Sequence, residues 1–127
     1  MGTWFVKPEA QRVELTEGQW IEVKKYLTAG EELTITQAFT AMRQGREGEQ
    51  PTVEIDMKRC RIMRCAIYLL KWSLTDWDDK PVPVTEASLE ALDPDRLKEI
   101  ETAIEAHSKR MEEEKNARHS VVGGGAN

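Results

Sequence analysis

The chain is organised around Met57–Leu92, which reads MKRCRIMRCAIYLLKWSLTDWDDKPVPVTEASLEAL. Its first half has the apolar periodicity of a helix with one buried side. The predicted buried face consists of Cys60, Met63, Ala66, Ile67, Leu70 and Leu74, and the predicted solvent face of Lys58, Arg61, Arg64, Tyr68 and Lys71. Pro81 and Pro83 cannot continue that helix, because proline lacks an amide donor and favours an extended predecessor. Thr85 is the predicted N-cap of a short helix that follows, ending at Leu92.

A β-hairpin is predicted from Val13–Leu15 and Trp20–Val23, which alternate or run apolar on either side of the turn-forming tetrapeptide TEGQ. Successive side chains of a strand point to opposite faces of the sheet. If Ile21 and Val23 face the core, Trp20 lies at least partly in solvent. Packing of Trp20 under the N-terminal residues is the alternative.

Two capping boxes, Thr28 with Glu31 and Thr34 with Gln37, predict that the next helix begins at one of them. The apolar stripe of that helix is Ile35, Ala38, Phe39 and Met42. The polar segment Gln44–Pro51 contains two glycines and is predicted to end the helix as a mobile loop.

The remaining boundaries follow from short local signals. Val53–Ile55 is a strand candidate that would add to the hairpin, and Asp56 is the predicted N-cap of the central helix. Asp93 and Pro94 predict the start of the last helix, because proline at the first helical position loses no hydrogen bond. That helix is predicted to end at about Arg118.

The predicted fold is α+β and mainly helical. A small antiparallel β-hairpin or three-stranded sheet near the N-terminus packs on three to four helices, with a long C-terminal helix. A chain of 127 residues supports one domain with one modest core, placed at residues 13–118. Residues 1–12 form an N-terminal arm, of which only Trp4 and Phe5 are expected to dock. Residues 119–127 contain three successive glycines and are predicted to be a disordered tail.

The composition of the chain argues against several classes of protein. The formal net charge is -5, which argues against a general nucleic-acid binder. No apolar run approaches the ~20 residues that cross a bilayer, and the N-terminus lacks a signal-peptide pattern. The chain is therefore expected to be soluble and intracellular. Cys60 and Cys65 have no zinc-ligand spacing and are expected to be reduced, mostly buried thiols.

The sequence carries no catalytic, cofactor-binding or metal-binding motif. Gly123–Gly125 lacks the flanking strand and helix of a phosphate loop. The acidic cluster of Asp76, Asp78 and Asp79 lacks the central glycine and terminal glutamate of a calcium loop, so turn formation is the better interpretation. We expect a binding or assembly protein without enzymatic activity, cofactor or metal.

Charge is distributed unevenly along the chain. Met57–Lys71 contains five basic residues and no acid, whereas Glu86–Lys115 contains ten acids and five bases. The two blocks either pair within the fold or steer contact between copies of the chain.

The last helix carries a narrow apolar stripe of Leu97, Ile100, Ile104 and Met111, with His107 between the last two. A narrow stripe suits either packing on its own domain or a seam with another chain. His107 is interpreted as a packed residue of this stripe rather than a ligand or base. The candidate partner-contact residues are Trp20, Trp77, Leu97, Ile100, Ile104 and Met111, with core packing as the alternative for both tryptophans.

Two blocks of sequence carry a family resemblance. Trp20–Glu31, WIEVKKYLTAGE, is a predicted strand entering a helix. Tyr68–Asp76, YLLKWSLTD, precedes Lys80–Thr85, KPVPVT, and Leu89–Asp93, LEALD. In this order and spacing they resemble the tail assembly chaperones of long-tailed, siphovirus-like bacteriophages, over roughly residues 13–106. The chain departs from that pattern at Asp78-Asp79-Lys80, where a glycine is expected.

The resemblance implies a non-enzymatic, oligomeric chaperone that binds the tape-measure protein before the tail tube polymerises around it. Such a protein acts in the host cytoplasm and is not expected in the mature virion. A longer product of a programmed frameshift, with which Gly123–Gly125 is compatible, would involve the tail-tube protein as a further partner. The alternative is a structural virion component, such as a tail or head–tail completion protein.

Overall fold

The computed structural model describes residues 4–43 and 53–125, with side chains described at 4–39 and 57–117. The elements, in chain order, are β1 (Ala10–Glu14), β2 (Trp20–Lys24), α1 (Ala29–Arg43), α2 (Val53–Tyr68), β3 (Leu69–Trp72), α3 (Glu86–Glu90) and α4 (Pro94–Gly125). The strands form one antiparallel sheet in the order β1-β2-β3. The predicted fold class, mainly helical α+β with a small sheet and a long C-terminal helix, is confirmed, in its three-stranded form.

The N-terminal hairpin forms where it was predicted. Val13 lies opposite Ile21 and Gln11 opposite Val23, so these residues share one face of the sheet. Ile21 and Val23 are fully buried on that face. The connection contains a 3-10 turn at Thr16–Gly18. β1 begins at Ala10, inside the segment predicted to be an N-terminal arm.

The third strand is not the predicted one. Val53–Ile55 lies in α2, and Leu69–Trp72 forms β3 against β2 instead. Asp56 is consequently an internal residue of α2 and not its N-cap. A short apolar run such as YLLKW satisfies a helix and a strand equally well by periodicity. Pairing with β2 gives the backbone groups along one edge of this run hydrogen-bond partners, and this tertiary contact decides between the two.

The buried face of α2 therefore differs from the predicted one. Tyr68, predicted to face solvent, is buried, as is Ile62. Leu70 lies in β3, where the register shifts beside it, and its side chain is 43% exposed. Leu74 also lies beyond the helix, partly buried against the core. Cys60 and Cys65 are both buried and neither forms a disulfide, as predicted.

Helix starts follow their capping residues closely. The Thr28 amide donates to Glu31 Oε1 at 2.9 Å, and the Glu31 amide donates to Thr28 Oγ1 at 3.2 Å, so the first of the two capping boxes begins α1. Thr34 lies inside that helix. The Ser88 amide donates to Thr85 Oγ1 at 3.0 Å, which confirms the predicted cap of α3.

Both ends of the chain differ from expectation. Trp4 and Phe5, which were expected to dock, are 99% and 85% exposed. α4 runs to Gly125, past the predicted end at about Arg118 and into the predicted disordered tail. Each residue added to an existing helix gains a hydrogen bond without the cost of nucleating a new helix. The prediction considered only the low helix propensity of glycine and therefore ended the helix too early. The predicted loop Gln44–Pro51 falls outside the described residues.

The core lies between the sheet and the helices α2, α3 and α4. Its buried members are Ile21, Val23, Ile62, Cys65, Tyr68, Leu69, Leu89, Ile100 and Ile104. The two isoleucines of α4 thus pack within their own chain.

Ile104→Ala should lower the free energy of unfolding by about 2–5 kcal/mol, because it leaves a cavity at a side chain that is 1% exposed. Chemical denaturation followed by circular dichroism measures this change. Lys98→Ala, an exposed site on the same helix, is the matched control and should change stability by less than about 0.5 kcal/mol. Equal stabilities of the two variants would place Ile104 outside the core.

Candidate interaction surfaces

The described residues contain no group of three or more His, Cys, Asp or Glu side chains arranged to hold a metal ion. Within the same ranges, no helix combines the length and apolar character needed to cross a membrane.

Basic residues of α2 form ion pairs with acidic residues of α3 and α4. Arg61 makes a bidentate ion pair with Glu101, at 2.8 Å from Nε and 2.5 Å from the terminal nitrogen. The neighbouring pairs are Arg64 with Glu105 at 2.6 Å and Lys58 with Glu90 at 2.7 Å. Hydrogen bonding to Glu101 raises the pKa of the Arg61 guanidinium further. Pairing within the fold, the first of the two interpretations, accounts for these charges.

The apolar stripe of α4 is mostly internal. Ile100 and Ile104 belong to the core, and Leu97 packs partly buried against it. Neither isoleucine is available to a partner in this fold. Met111 remains partly exposed and lines a surface cavity.

His107 is fully buried beside this stripe. Its Nε2 lies 3.0 Å from the Lys24 carbonyl oxygen, and its ring meets Tyr68 edge-on at 6.3 Å between centroids. The contact joins α4 to the end of β2. This agrees with the interpretation of His107 as a packed residue.

Trp20 lies on the outer face of the sheet, half-buried. The Arg12 guanidinium sits 3.9 Å from the centroid of its ring, and Arg12 also approaches Glu22 at 3.4 Å. The prediction that Trp20 is partly outside is confirmed, and a cation–π contact covers one side of its ring.

Trp77 stands at the tip of a folded loop, residues 74–82, which we call the Trp77 loop. Its side chain is 94% exposed. Thr75 and Pro81 form an isolated antiparallel bridge at the base of the tip. Core packing, the alternative considered for Trp77, does not occur.

Asp76 organises the tip of this loop. Its carboxylate Oδ1 accepts hydrogen bonds from the amides of Asp78 at 2.8 Å and Lys80 at 3.1 Å. The Asp76 amide donates to the Lys80 carbonyl oxygen at 2.9 Å. Asp79 adopts φ 58°, a left-handed conformation that aspartate tolerates better than most residues. The acidic cluster is thus a turn, as predicted.

The base of the Trp77 loop is anchored to the sheet. Trp72 Nε1 donates to the Val82 carbonyl oxygen at 2.6 Å. Ser73 Oγ accepts from the Trp20 amide at 2.8 Å and donates to Gln19 Oε1 at 2.7 Å. These bonds hold the loop in one orientation relative to β2.

A cavity of about 770 Å³ opens at the other end of the sheet, and we call it the Tyr68 cavity. Its apolar and aromatic lining includes Tyr26, Leu27, Tyr68 and Met111. The Tyr68 hydroxyl lies 3.3 Å from Ser108 Oγ. Of these residues, sequence reasoning singled out only Met111 as a contact residue, because the cavity joins segments that are far apart in the chain.

Comparisons of the chain with protein-family models, with curated proteins and with solved structures each found no match. The family resemblance therefore rests on the quoted sequence blocks alone.

The Cys65 thiol should be protected in the folded protein. Burial, with the nearby Glu101, raises its pKa to about 11 from an ordinary 9.0. In a Cys60→Ala variant, where Cys65 is the only thiol, alkylation at about pH 9 should be at least ~100-fold slower before than after unfolding in urea. Similar rates in both states would contradict the burial of Cys65.

The raised pKa of Cys65 should also lower the free energy of unfolding at alkaline pH. The unfolded chain loses the Cys65 proton at about pH 9, whereas the folded chain keeps it to about pH 11. Because the unfolded state binds fewer protons in this window, the free energy of unfolding decreases as pH rises. A Cys65→Ala variant lacks this contribution and should show a smaller decrease.

Proposed function

We propose that the chain is a non-enzymatic tail assembly chaperone of a long-tailed bacteriophage, which binds the tape-measure protein before the tail tube polymerises. It would act in the host cytoplasm and leave before the virion is complete. The observation that carries the proposal is the Trp77 loop, an ordered loop that presents an indole to solvent. The resemblance of the sequence blocks supplies the identity of the client.

The exposed indole of Trp77, on an ordered loop, is available for contact with a partner. Tryptophan is enriched among the residues that contribute most to binding between proteins. The hydrogen bonds of Asp76 fix the loop before any partner arrives, so little conformational entropy is lost on binding. This combination favours a binding function over an enzymatic one.

Two of the quoted blocks support the proposal by the elements they form. β2 leads into α1 over Trp20–Glu31, and the turn at Asp76 leads into Pro81 and Pro83. The resemblance implies a core helix that ends at the tryptophan, whereas here the central helix ends at Tyr68 and the chain reaches Trp72 as a strand.

The proposed client surface is smaller than the set of candidates from sequence. Trp77, the exposed part of Trp20 and Met111 remain, whereas Ile100 and Ile104 are needed in the core. Each contact of one copy with a long helical client would be weak. Many linked copies along one client would bind with high avidity.

Trp77→Ala should abolish or strongly reduce capture of the client. The test is co-expression with the long helical protein encoded downstream, followed by measurement of its soluble fraction and its co-elution with this chain. Trp4→Ala is the matched control, because Trp4 is equally exposed but lies outside the loop. It should behave as the wild type.

Two results would contradict the proposal. One is a client that stays insoluble while the wild-type chain elutes alone. The other is recovery of the chain from purified virions, which would favour a structural component of the tail or of the head–tail junction.

A further inference from the structure

We propose that two copies of this chain pair through the outer edge of β1, in antiparallel orientation, with Val13 of one copy opposite Val13 of the other. The pairing joins the two three-stranded sheets into one continuous sheet. It goes beyond the proposed function, because it requires only this chain and uses none of the proposed client contacts.

β1 is an edge strand of the sheet. The strand order β1-β2-β3 gives it one neighbour, so one row of its backbone groups faces away from the sheet. The Lys25 amide donates to the Glu9 carbonyl oxygen and the Leu15 amide to the Gln19 carbonyl oxygen, each at 2.8 Å. Antiparallel strands exchange such bonds at every second residue. The odd-numbered residues of β1 therefore bond to β2, and the even-numbered ones carry the outward row.

The outward backbone groups of Arg12 and Glu14 are the ones that a second strand would use. Both side chains are exposed. A second β1 can pair with this row only when outward residues lie opposite outward residues. Of the symmetric registers centred on the strand, one places Arg12 opposite itself, and the other places Arg12 of each copy opposite Glu14 of its partner.

Charge selects the second of these registers. It creates two pairs of Arg12 with Glu14 across the new contact, whereas the first places two guanidinium groups face to face. Opposite charges directly across a strand pair are stabilising, and like charges are destabilising. The two-fold axis then passes beside Val13, so the two Val13 side chains meet on the inner face of the sheet, beside Ile21 of each copy.

Both charged groups are available for this pairing. The Arg12 side chain is 51% exposed and makes a single hydrogen bond to Glu22, at 3.4 Å. A guanidinium carries five N–H donors, so it can bind a second carboxylate. Glu14 makes no ion pair with another residue in the described part of the chain.

The described residues before β1 lead past the end of the sheet rather than along this edge. Val6 lines the Tyr68 cavity together with Tyr26 and Leu27. Those two residues follow the end of β2 at Lys24, beside the start of β1. A second copy is therefore the occupant to which the alternating charges of the edge are matched.

A surface that pairs with itself has two-fold symmetry, and both copies use the same edge. The assembly therefore stops at the dimer. The wild-type chain should have twice the 14.5 kDa chain mass by light scattering or sedimentation.

The decisive experiment exchanges the charges of the edge. Arg12→Glu places two acids opposite each other in the dimer, and Glu14→Arg places two bases opposite each other. Each variant alone should associate at least about tenfold more weakly than the wild type. An equimolar mixture of the two restores both opposite-charge pairs and should form a heterodimer. The register with Arg12 opposite itself would instead leave Glu14→Arg dimeric.

Lys71→Glu is the matched control. Lys71 is exposed on β3 and lies opposite Glu22, as Arg12 does on β1. The substitution makes the same change of charge beside the same acid but away from the β1 edge. This variant should dimerise like the wild type.

A disulfide test covers the case in which the charge variants alter the circular dichroism spectrum. Val13→Cys brings two thiols together at the axis, where the Cα atoms of facing residues lie about 4.5 Å apart, within disulfide reach. It should cross-link two copies under mild oxidation. Gln11→Cys is the control, because its equivalent in the partner lies roughly 14 Å along the strand.

Three results would overturn the proposal. They are a monomeric wild type, which would mean that the charges protect the edge from pairing; a mixture of the charge variants that stays monomeric; and loss of the dimer in Lys71→Glu. Dimerisation without client capture would refute only the proposed function, and client capture by a monomeric wild type would refute only the pairing of β1.

Discussion

The burial of Ile21 and Val23 under α4 is the packing contact on which the rest of the structure depends. Both side chains are fully buried on the inner face of the central strand, in one cluster with Ile100 and Ile104. A three-stranded sheet has too little apolar surface to be stable alone, and packing on a helix supplies it. The same contact gives the long, highly charged α4 one buried side.

Polar contacts fix α4 at both ends of this apolar centre. Near its start, Glu99 accepts hydrogen bonds from the amide of Thr16 at 2.7 Å and its hydroxyl at 2.9 Å, which lower the pKa of the Glu99 carboxyl. Arg96 reaches Glu17 in the same turn at 2.9 Å. Further along, His107 contacts the Lys24 carbonyl oxygen at the end of β2. These three contacts orient α4 along the sheet, and the Trp77 loop and the Tyr68 cavity lie at opposite ends of that sheet.

Sequence predicted the features of this fold that arise from neighbouring residues. The capping boxes at Thr28 and Thr85, the hairpin, and the aspartate turn each depend on side chains within a few positions of the bonded backbone. β3 was missed because an apolar run at the end of a helix has no local signal for a strand, and its partner β2 lies some 50 residues earlier in the chain. The Tyr68 cavity could not be predicted for the same reason, since its lining comes from distant segments.

The candidate contact residues fall into two groups: those that are buried or paired within the fold and those that stay exposed. Charge blocks and an apolar helical stripe are patterns that predict contact within a chain and contact between chains equally well. Here Arg61 meets Glu101 and Ile104 fills the core, so the greater part of each pattern is used within the fold. Trp77 is different, because hydrogen bonds hold its loop while its ring stays 94% exposed. Its side chain takes no part in the described core, so Trp77 remains a candidate contact residue where Arg61 and Ile104 do not.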